Sequence, residues 1–140
     1  MTAITRVAAT TSSDMAAASF PASNIMDGNP GSLIATQSAM SAAQYVSVQV
    51  AAGSTISYVA MYNRGDTYAS WVSPYEVWLG NSAGEKAYQC GGAQSADTSL
   101  GVGPFLTWCG GLTTYSYVSI VINAGTTRFL AIGEVEIYRI

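Results

Sequence analysis

Short segments in which apolar and polar residues alternate recur along the chain. In Gln44–Val50, the apolar residues Val46, Val48 and Val50 are separated by Ser47 and Gln49. A two-residue period of this kind predicts a β-strand with one buried face. Similar patterns predict further strands at residues 57–62, 75–79, 105–108, 117–122 and 134–140.

Turn-forming residues separate these segments. Gly, Asn, Asp and Pro cluster at residues 27–31, 63–66 and 123–125, among other places. The best helical candidate is a short Ala-rich stretch at residues 13–19. Short strands divided by turns predict an all-β, antiparallel β-sandwich of the jelly-roll type.

The length of 140 residues fits one domain, residues 1–140. Residues 1–12 form either a further strand or an N-terminal arm. Residues 1–9 lack the pattern of a signal peptide, so we expect that a signal was removed or that the protein leaves its cell by lysis or assembly. No apolar run is long enough to predict a membrane span.

Charged residues make up only 9% of the chain, and the net charge is −3. Basic residues are too few and too scattered to follow a phosphate backbone, which argues against nucleic acid as a partner. A weakly charged surface is easily desolvated and therefore suits packing into an assembly. Such surfaces are typical of secreted proteins, adhesins and virion proteins, so we expect an extracellular or virion-surface location.

The chain contains no histidine. This removes the commonest general base, the Ser-His and Cys-His nucleophile systems and most catalytic zinc sites. Glu134 and Glu136 lie two apart on a predicted strand and should share a face. A carboxylate pair can hydrolyse glycosides, but solvated or cation-binding carboxylates are the better interpretation. We therefore expect a protein that is not an enzyme.

Two cysteines, Cys90 and Cys109, are separated by 18 residues. A disulfide that closes this loop would stabilise the fold by about 3 kcal/mol in the chain-entropy model. The alternative is a pair of buried thiols, and the residues alone leave both open.

Four motifs in order resemble the F-type lectins (fucolectins) of the discoidin and coagulation-factor C-domain group. They are residues 22–29 (ASNIMDGN), 63–66 (NRGD), 105–109 (FLTWC) and 133–138 (GEVEIY). The resemblance covers about residue 16 to residue 140. It implies a galactose-binding-like jelly roll with a disulfide between Cys90 and Cys109.

The resemblance also implies a calcium site. Its ligands fall on two carboxylates and three backbone carbonyls, contributed by Asp27 and Glu134 and by Asn24, Asn29 and Gly133. This mixture of oxygens suits calcium, which takes six to eight of them. The alternative is an Asx turn at Asp27 with Glu134 in solvent.

The sugar-binding motif of the family is only partly present. Arg64 and Asp66 match its centre, but its histidine position falls on Gln37 and its second basic position falls on Trp71. The resemblance implies that Arg64 contacts a sugar, with Asp66 orienting it. Gln37 could donate a hydrogen bond and Trp71 could stack on a sugar ring. The alternative is a salt bridge that only shapes the loop. The other tryptophans, Trp78 and Trp108, lie in predicted strands and are expected in the core.

The first functional hypothesis is a carbohydrate-binding module whose loops hold a glycan. The alternative is a structural decoration, cement or fibre protein of a virus particle such as a phage. In that case a neighbouring structural protein or a second copy of the chain would be the partner. A glycosidase based on Glu134 and Glu136 is the weakest hypothesis.

Overall fold

The computed structural model describes residues 1–15 and 19–140. In chain order its strands are β1 (Thr2–Ala3), β2 (Arg6–Thr11), β3 (Ile34–Ser38), β4 (Gln44–Val50), β5 (Ile56–Asn63), β6 (Glu76–Gly80), β7 (Tyr88–Gln89), β8 (Phe105–Leu112), β9 (Tyr117–Ile122) and β10 (Phe129–Arg139). Short 3-10 helices cover Ala22–Met26, Ala69–Val72 and Thr98–Leu100. Among the described residues there is no α-helix, and none of the helices is long and apolar enough to span a membrane.

Within the described residues, the strands form two five-stranded antiparallel sheets. The first has the order β1-β10-β5-β8, with β3 also paired to β10, and the second has the order β2-β4-β9-β6-β7. The apolar faces of both sheets form one core, which confirms the predicted β-sandwich. Fully buried core residues contributed by strands of both sheets include Val46, Val48, Met61, Val77, Leu79, Ile120, Val135 and Ile137.

The long strand β10 begins earlier than the predicted strand at residues 134–140. Residues 129–133 form a continuous apolar run, which has no two-residue period to reveal a strand. Leu130, Ala131 and Ile132 are buried here, where β3 pairs with β10. The strands β3 and β7 were not predicted. The stretch predicted as helical at residues 13–19 includes residues 16–18, which lie outside the described part of the chain.

The first residues of the chain contribute a strand to each sheet. Thr2 pairs with Arg139 across β1 and β10, and β2 pairs with β4. Along β10, Tyr138 pairs with Tyr58 and Ile132 pairs with Asn63 at the end of β5. The two ends of the chain are therefore adjacent, at the end of the sandwich opposite the loop that follows Asn63.

Cys90 and Cys109 form the disulfide that the resemblance implied. Cys109 lies in β8 at the edge of the first sheet, and Cys90 directly follows β7 at the edge of the second. Both side chains are buried. The bridge therefore joins the two sheets along one side of the sandwich.

The expectation that Trp78 and Trp108 lie in the core was wrong. On β8, Thr107 and Cys109 face inward, so the alternation turns Trp108 outward, where it is 49% exposed. On β6, Val77 and Leu79 are buried, and Trp78 lies on the opposite face. Strand alternation outweighs the tendency of large aromatic residues to be buried.

Candidate functional site

The loop after β5 is organised by one buried amide, that of Asn63. Its Oδ1 accepts from the backbone N–H of Arg64 at 2.9 Å, and its Nδ2 donates to the carbonyl of Ala69 at 2.7 Å. Asn63 is fully buried, so neither bond competes with water. We call residues 64–72 the Arg64 loop. Its first residue and the start of its 3-10 helix are held by the same side chain.

Arg64 and Asp66 form a forked ion pair within this loop. Arg64 Nε and Nη2 donate to Asp66 Oδ1 and Oδ2, both at 2.6 Å. Asp66 Oδ1 also accepts from the N–H of Tyr68 at 3.0 Å. The hydrogen bond from Arg64 holds the pKa of the Asp66 carboxyl below its ordinary value. Asp66 is therefore a carboxylate at neutral pH, and its negative charge offsets the positive charge of the guanidinium.

Three aromatic side chains, Tyr68, Trp71 and Phe129, pack in a row beside Arg64, and we call them the aromatic cluster. The ring centroids of Tyr68 and Trp71 are 4.5 Å apart, and those of Trp71 and Phe129 are 5.2 Å apart. The Arg64 guanidinium carbon lies 5.2 Å from the Tyr68 centroid and 5.7 Å from that of Trp71. These distances are typical of cation–π contacts. The Arg64 loop thus combines hydrogen-bond donors with apolar ring faces.

Arg128 fastens the Arg64 loop to the strand that carries Phe129. Its Nη1 donates to the carbonyl of Trp71, and its Nε donates to Thr126 Oγ1 at 3.2 Å. Arg128 thereby keeps Trp71 next to Phe129. The sequence placed Asn63 in the motif at residues 63–66 but assigned it no role, and it did not indicate Tyr68, Phe129 or Arg128 as site residues. Tyr68 could have been identified, because it is an aromatic residue in the same predicted loop as Trp71.

Three of the predicted sugar-site residues, Arg64, Asp66 and Trp71, come together in this loop. Gln37 lies outside it, on the neighbouring strand β3. Its backbone N–H donates to Ser13 Oγ at 3.0 Å and its Nε2 donates to the carbonyl of Asp14 at 3.4 Å. Among the described residues Gln37 makes no hydrogen bond to the Arg64 loop, and its role in ligand binding stays a prediction.

The five residues of the predicted calcium site lie around a second loop, residues 24–33, which packs on β10. Asn24 Nδ2 donates to the carbonyl of Leu33 at 2.9 Å and closes the loop. Asp27 Oδ1 accepts from the N–H of Asn29 at 2.8 Å, which is the Asx turn considered from the sequence. The N–H of Gly28 donates to Glu134 Oε2 at 3.0 Å and joins the loop to β10.

Gly133 and Glu134 lie at a β-bulge in β10. Ile132 pairs with Asn63 and Glu134 pairs with Tyr62, so Gly133 is the extra residue. A Cβ on Gly133 would collide with the carbonyl oxygen of Pro30, so only glycine permits the loop to lie this close to the strand. The predicted ligands on both elements are thereby brought side by side.

Glu134 is not in solvent, contrary to the alternative weighed from the sequence. It is 1% exposed, and its Oε2 accepts from Arg6 as well as from Gly28. Burial raises the pKa of the Glu134 carboxyl above its ordinary value, the Arg6 hydrogen bond opposes this, and the nearby Asp27 carboxylate adds to the rise. The carboxylates of Asp27 and Glu134, which repel each other, therefore lie near one another where the second loop meets β10.

The second loop and β10 together present oxygen atoms of the kind that calcium binds. Glu134 Oε1 is buried and has no hydrogen-bond partner within the described part of the chain. An orphaned buried carboxylate oxygen is costly unless a cation or donor reaches it. The described residues contain no group of three or more His, Cys, Asp or Glu side chains that could hold a metal. Any ion here would depend on backbone carbonyls in addition to Asp27 and Glu134, which calcium accepts.

Comparison with known proteins agrees with this geometry at the level of the fold. The lectin domain of lectinolysin, solved in complex with Lewis B antigen, superimposes with a TM-score of 0.77 at 20% identity, over 95% of this chain and 92% of that one. The protein has the fold of the F-type lectins. An F-type lectin (fucolectin) from striped bass (Morone saxatilis) serum gives a TM-score of 0.75 at 24% identity, over 94% of this chain and 44% of that one.

The F-type lectin fold is shared with other sugar-binding modules. A family 32 carbohydrate-binding module from C. perfringens, in complex with galactose, gives a TM-score of 0.67 at 19% identity, over 94% of this chain and 93% of that one. No protein-family model and no curated protein matches the sequence. The likeness therefore confirms the galactose-binding-like architecture that the four motifs predicted.

Proposed function

We propose that this protein is a non-enzymatic carbohydrate-binding module that holds a neutral sugar on the Arg64 loop. The proposal is carried by one observation, the juxtaposition of the Arg64–Asp66 ion pair with the aromatic cluster. Pyranose rings offer hydroxyl groups at their edges and C–H groups on a face. Guanidinium N–H donors and Asp66 oxygens match the hydroxyls, and the rings of the cluster match the C–H face.

The charge of the loop favours uncharged sugars. Asp66 cancels the charge of Arg64, and it takes two of the five N–H donors of the guanidinium. The remaining donors can bind hydroxyl groups without attracting an anion strongly. Sialic acids and uronic acids would meet the exposed Asp66 carboxylate as well as Arg64, and we expect them to bind more weakly than neutral glycans.

The proposal includes a calcium ion in the second loop. Asp27 and Glu134 would supply carboxylate oxygens, and Asn24, Asn29 and Gly133 would supply carbonyls. Glu134 Oε1, which has no hydrogen-bond partner among residues 1–15 and 19–140, supports this assignment. The ion would brace residues 24–33 against β10, the strand that also carries Phe129. The disulfide fits an oxidising compartment, and we propose that the module acts outside the cell.

The experiment is a glycan array that contains neutral and acidic glycans, probed with the wild type, Arg64→Ala and Arg139→Ala. Arg139 is exposed at the opposite end of the sandwich and serves as the matched control. Loss of a charge-assisted hydrogen bond of about 1.5–3 kcal/mol should weaken binding by about tenfold or more in Arg64→Ala. Arg139→Ala should bind like the wild type. Equal binding by the wild type and Arg64→Ala, or no binding by the wild type, would contradict the proposal.

A second candidate function, a structural component of a virus particle or similar assembly, is favoured by a different surface. Leu106 and Trp108 on the edge strand β8 are 48% and 49% exposed, and both project from the outer face of the first sheet. Exposed apolar patches often mark protein contacts. Sedimentation velocity tests this candidate: a stable oligomer that Leu106→Ser dissociates supports it, and a monomer at all concentrations opposes self-assembly.

A further inference from the structure

The buried Glu134 has a cationic partner that comes from the far end of the chain. Arg6 Nη1 donates to Glu134 Oε2, lies 2.8 Å from the carbonyl oxygen of Val135 and lies 3.4 Å from that of Ile25. One nitrogen therefore meets oxygens from β10 and from the 3-10 helix Ala22–Met26, while its own residue belongs to the second sheet. Neither the resemblance of the sequence to F-type lectins nor the spacing of its motifs indicated a role for Arg6.

A β-bulge in β2 accompanies the position of Arg6. Arg6 pairs with Val50 and Ala8 pairs with Gln49, so Val7 is the extra residue. Val7 is exposed, whereas the Arg6 side chain is only 17% exposed. Bulges commonly redirect a side chain, and this one lies beside a residue that reaches across to the other sheet.

The two oxygens of Glu134 have different surroundings. Oε2 is taken by Arg6 and by the N–H of Gly28, whereas Oε1 has no partner among the described residues. Arg6 thus fixes the rotation of the carboxylate and leaves Oε1 for another cation. Arg6 also lowers the net negative charge around Oε1. Asp27 and Glu134 contribute two negative charges there, and the positive charge of Arg6 offsets one of them.

We infer that Arg6 acts as a built-in counter-ion that keeps the loop folded without calcium and weakens the binding of calcium when it is present. This inference rests on the calcium site proposed above. A buried carboxylate without a partner strongly destabilises a fold, so Arg6 makes Glu134 tolerable in the metal-free protein. The affinity of a calcium site depends on its ligand charge, so the positive charge of Arg6 lowers it.

The test uses the full chain as wild type, Arg6→Met and Arg139→Met, each in excess EDTA and in excess CaCl2. Thermal unfolding should show a small calcium effect for the wild type and Arg139→Met. Arg6→Met should unfold at a lower temperature in EDTA and should regain more stability from CaCl2 than the wild type does. Titration calorimetry with CaCl2 should give a dissociation constant about tenfold lower for Arg6→Met.

A second variant, Arg6→Gln, keeps a hydrogen-bond donor near Glu134 without the charge and serves if Arg6→Met does not fold. Calcium should also bind it more tightly than it binds the wild type. Equal calcium affinity in the wild type and in the folded Arg6 variant would overturn the inference and leave the calcium site standing. No calcium binding by any of these proteins would overturn the calcium proposal itself, and the inference with it.

Discussion

The side-chain amide of Asn63 donates a hydrogen bond to the carbonyl of Ala69 at 2.7 Å and thereby closes the Arg64 loop. The oxygen of the same amide accepts a hydrogen bond from the backbone N–H of Arg64. The position of the Arg64 guanidinium therefore depends on a residue that is fully buried and that no ligand can touch.

Asn63→Ala should destabilise the protein and weaken glycan binding together. It leaves the N–H of Arg64 and the carbonyl of Ala69 without their partner, which costs about 1–3 kcal/mol when such groups are buried. Urea unfolding gives the change in free energy, and a glycan array gives the change in binding. Asn123→Ala removes an exposed amide as the control. A variant as stable as the wild type would refute this account of the loop.

The aromatic cluster can be tested with two tryptophans that differ in position. Trp71→Ala removes the central ring and should reduce glycan binding by about two- to tenfold, since ring contacts of this kind contribute about 0.5–1.5 kcal/mol each. Trp108→Ala removes a ring from the outer sheet face and should leave binding unchanged. The measurement is the apparent affinity for the best glycan on the array. A larger loss in Trp108→Ala than in Trp71→Ala would move the site to the sheet face.

Glycan binding should change little between about pH 5 and 8, because the chain has no histidine. The folded-state pKa of Asp66 is lowered from 3.8, so its pairing with Arg64 contributes fully above that value. The contribution is lost as the pH falls through the lowered pKa, and binding should fall with it. A binding titration measures the profile. Asp66→Asn should lack this acid step, and a step near pH 6 in the wild type would contradict the prediction.

Removal of the disulfide should lower the free energy of unfolding by about 3 kcal/mol in the chain-entropy model. The bridge spans a sequence separation of 19 residues and joins the edges of the two sheets. Urea unfolding of the Cys90→Ala, Cys109→Ala double variant measures the loss. A reductant should destabilise the wild type to a similar degree and have no effect on the double variant. Unchanged stability in the double variant would contradict the prediction.

The sequence predicted those features that depend on nearby residues. The strands at Gln44–Val50 and Tyr117–Ile122 were predicted with their observed bounds, because each alternates clearly. Arg64, Asp66 and Trp71 lie within eight residues of one another, and a single turn region was enough to group them.

Contacts between distant segments were not visible in the sequence. Phe129 joins Trp71 from another strand, and Arg6 meets Glu134 across 128 positions of the chain. Both contacts depend on how segments that are not paired with β10 pack against it, which no local pattern encodes. The expectation for Trp108 failed for a local reason. Its hydrophobicity suggested burial, but its position in the alternation of β8 turns it outward.

The pairing of Thr2 with Arg139 has a practical consequence for how the module can be presented. Both termini emerge side by side, and the loop after Asn63 lies at the far end of the same strands. A bead, a fluorophore or a larger carrier joined through either terminus would sit behind the module. Arg64 and its neighbouring rings would then point away from the carrier, toward whatever surface the carrier approaches.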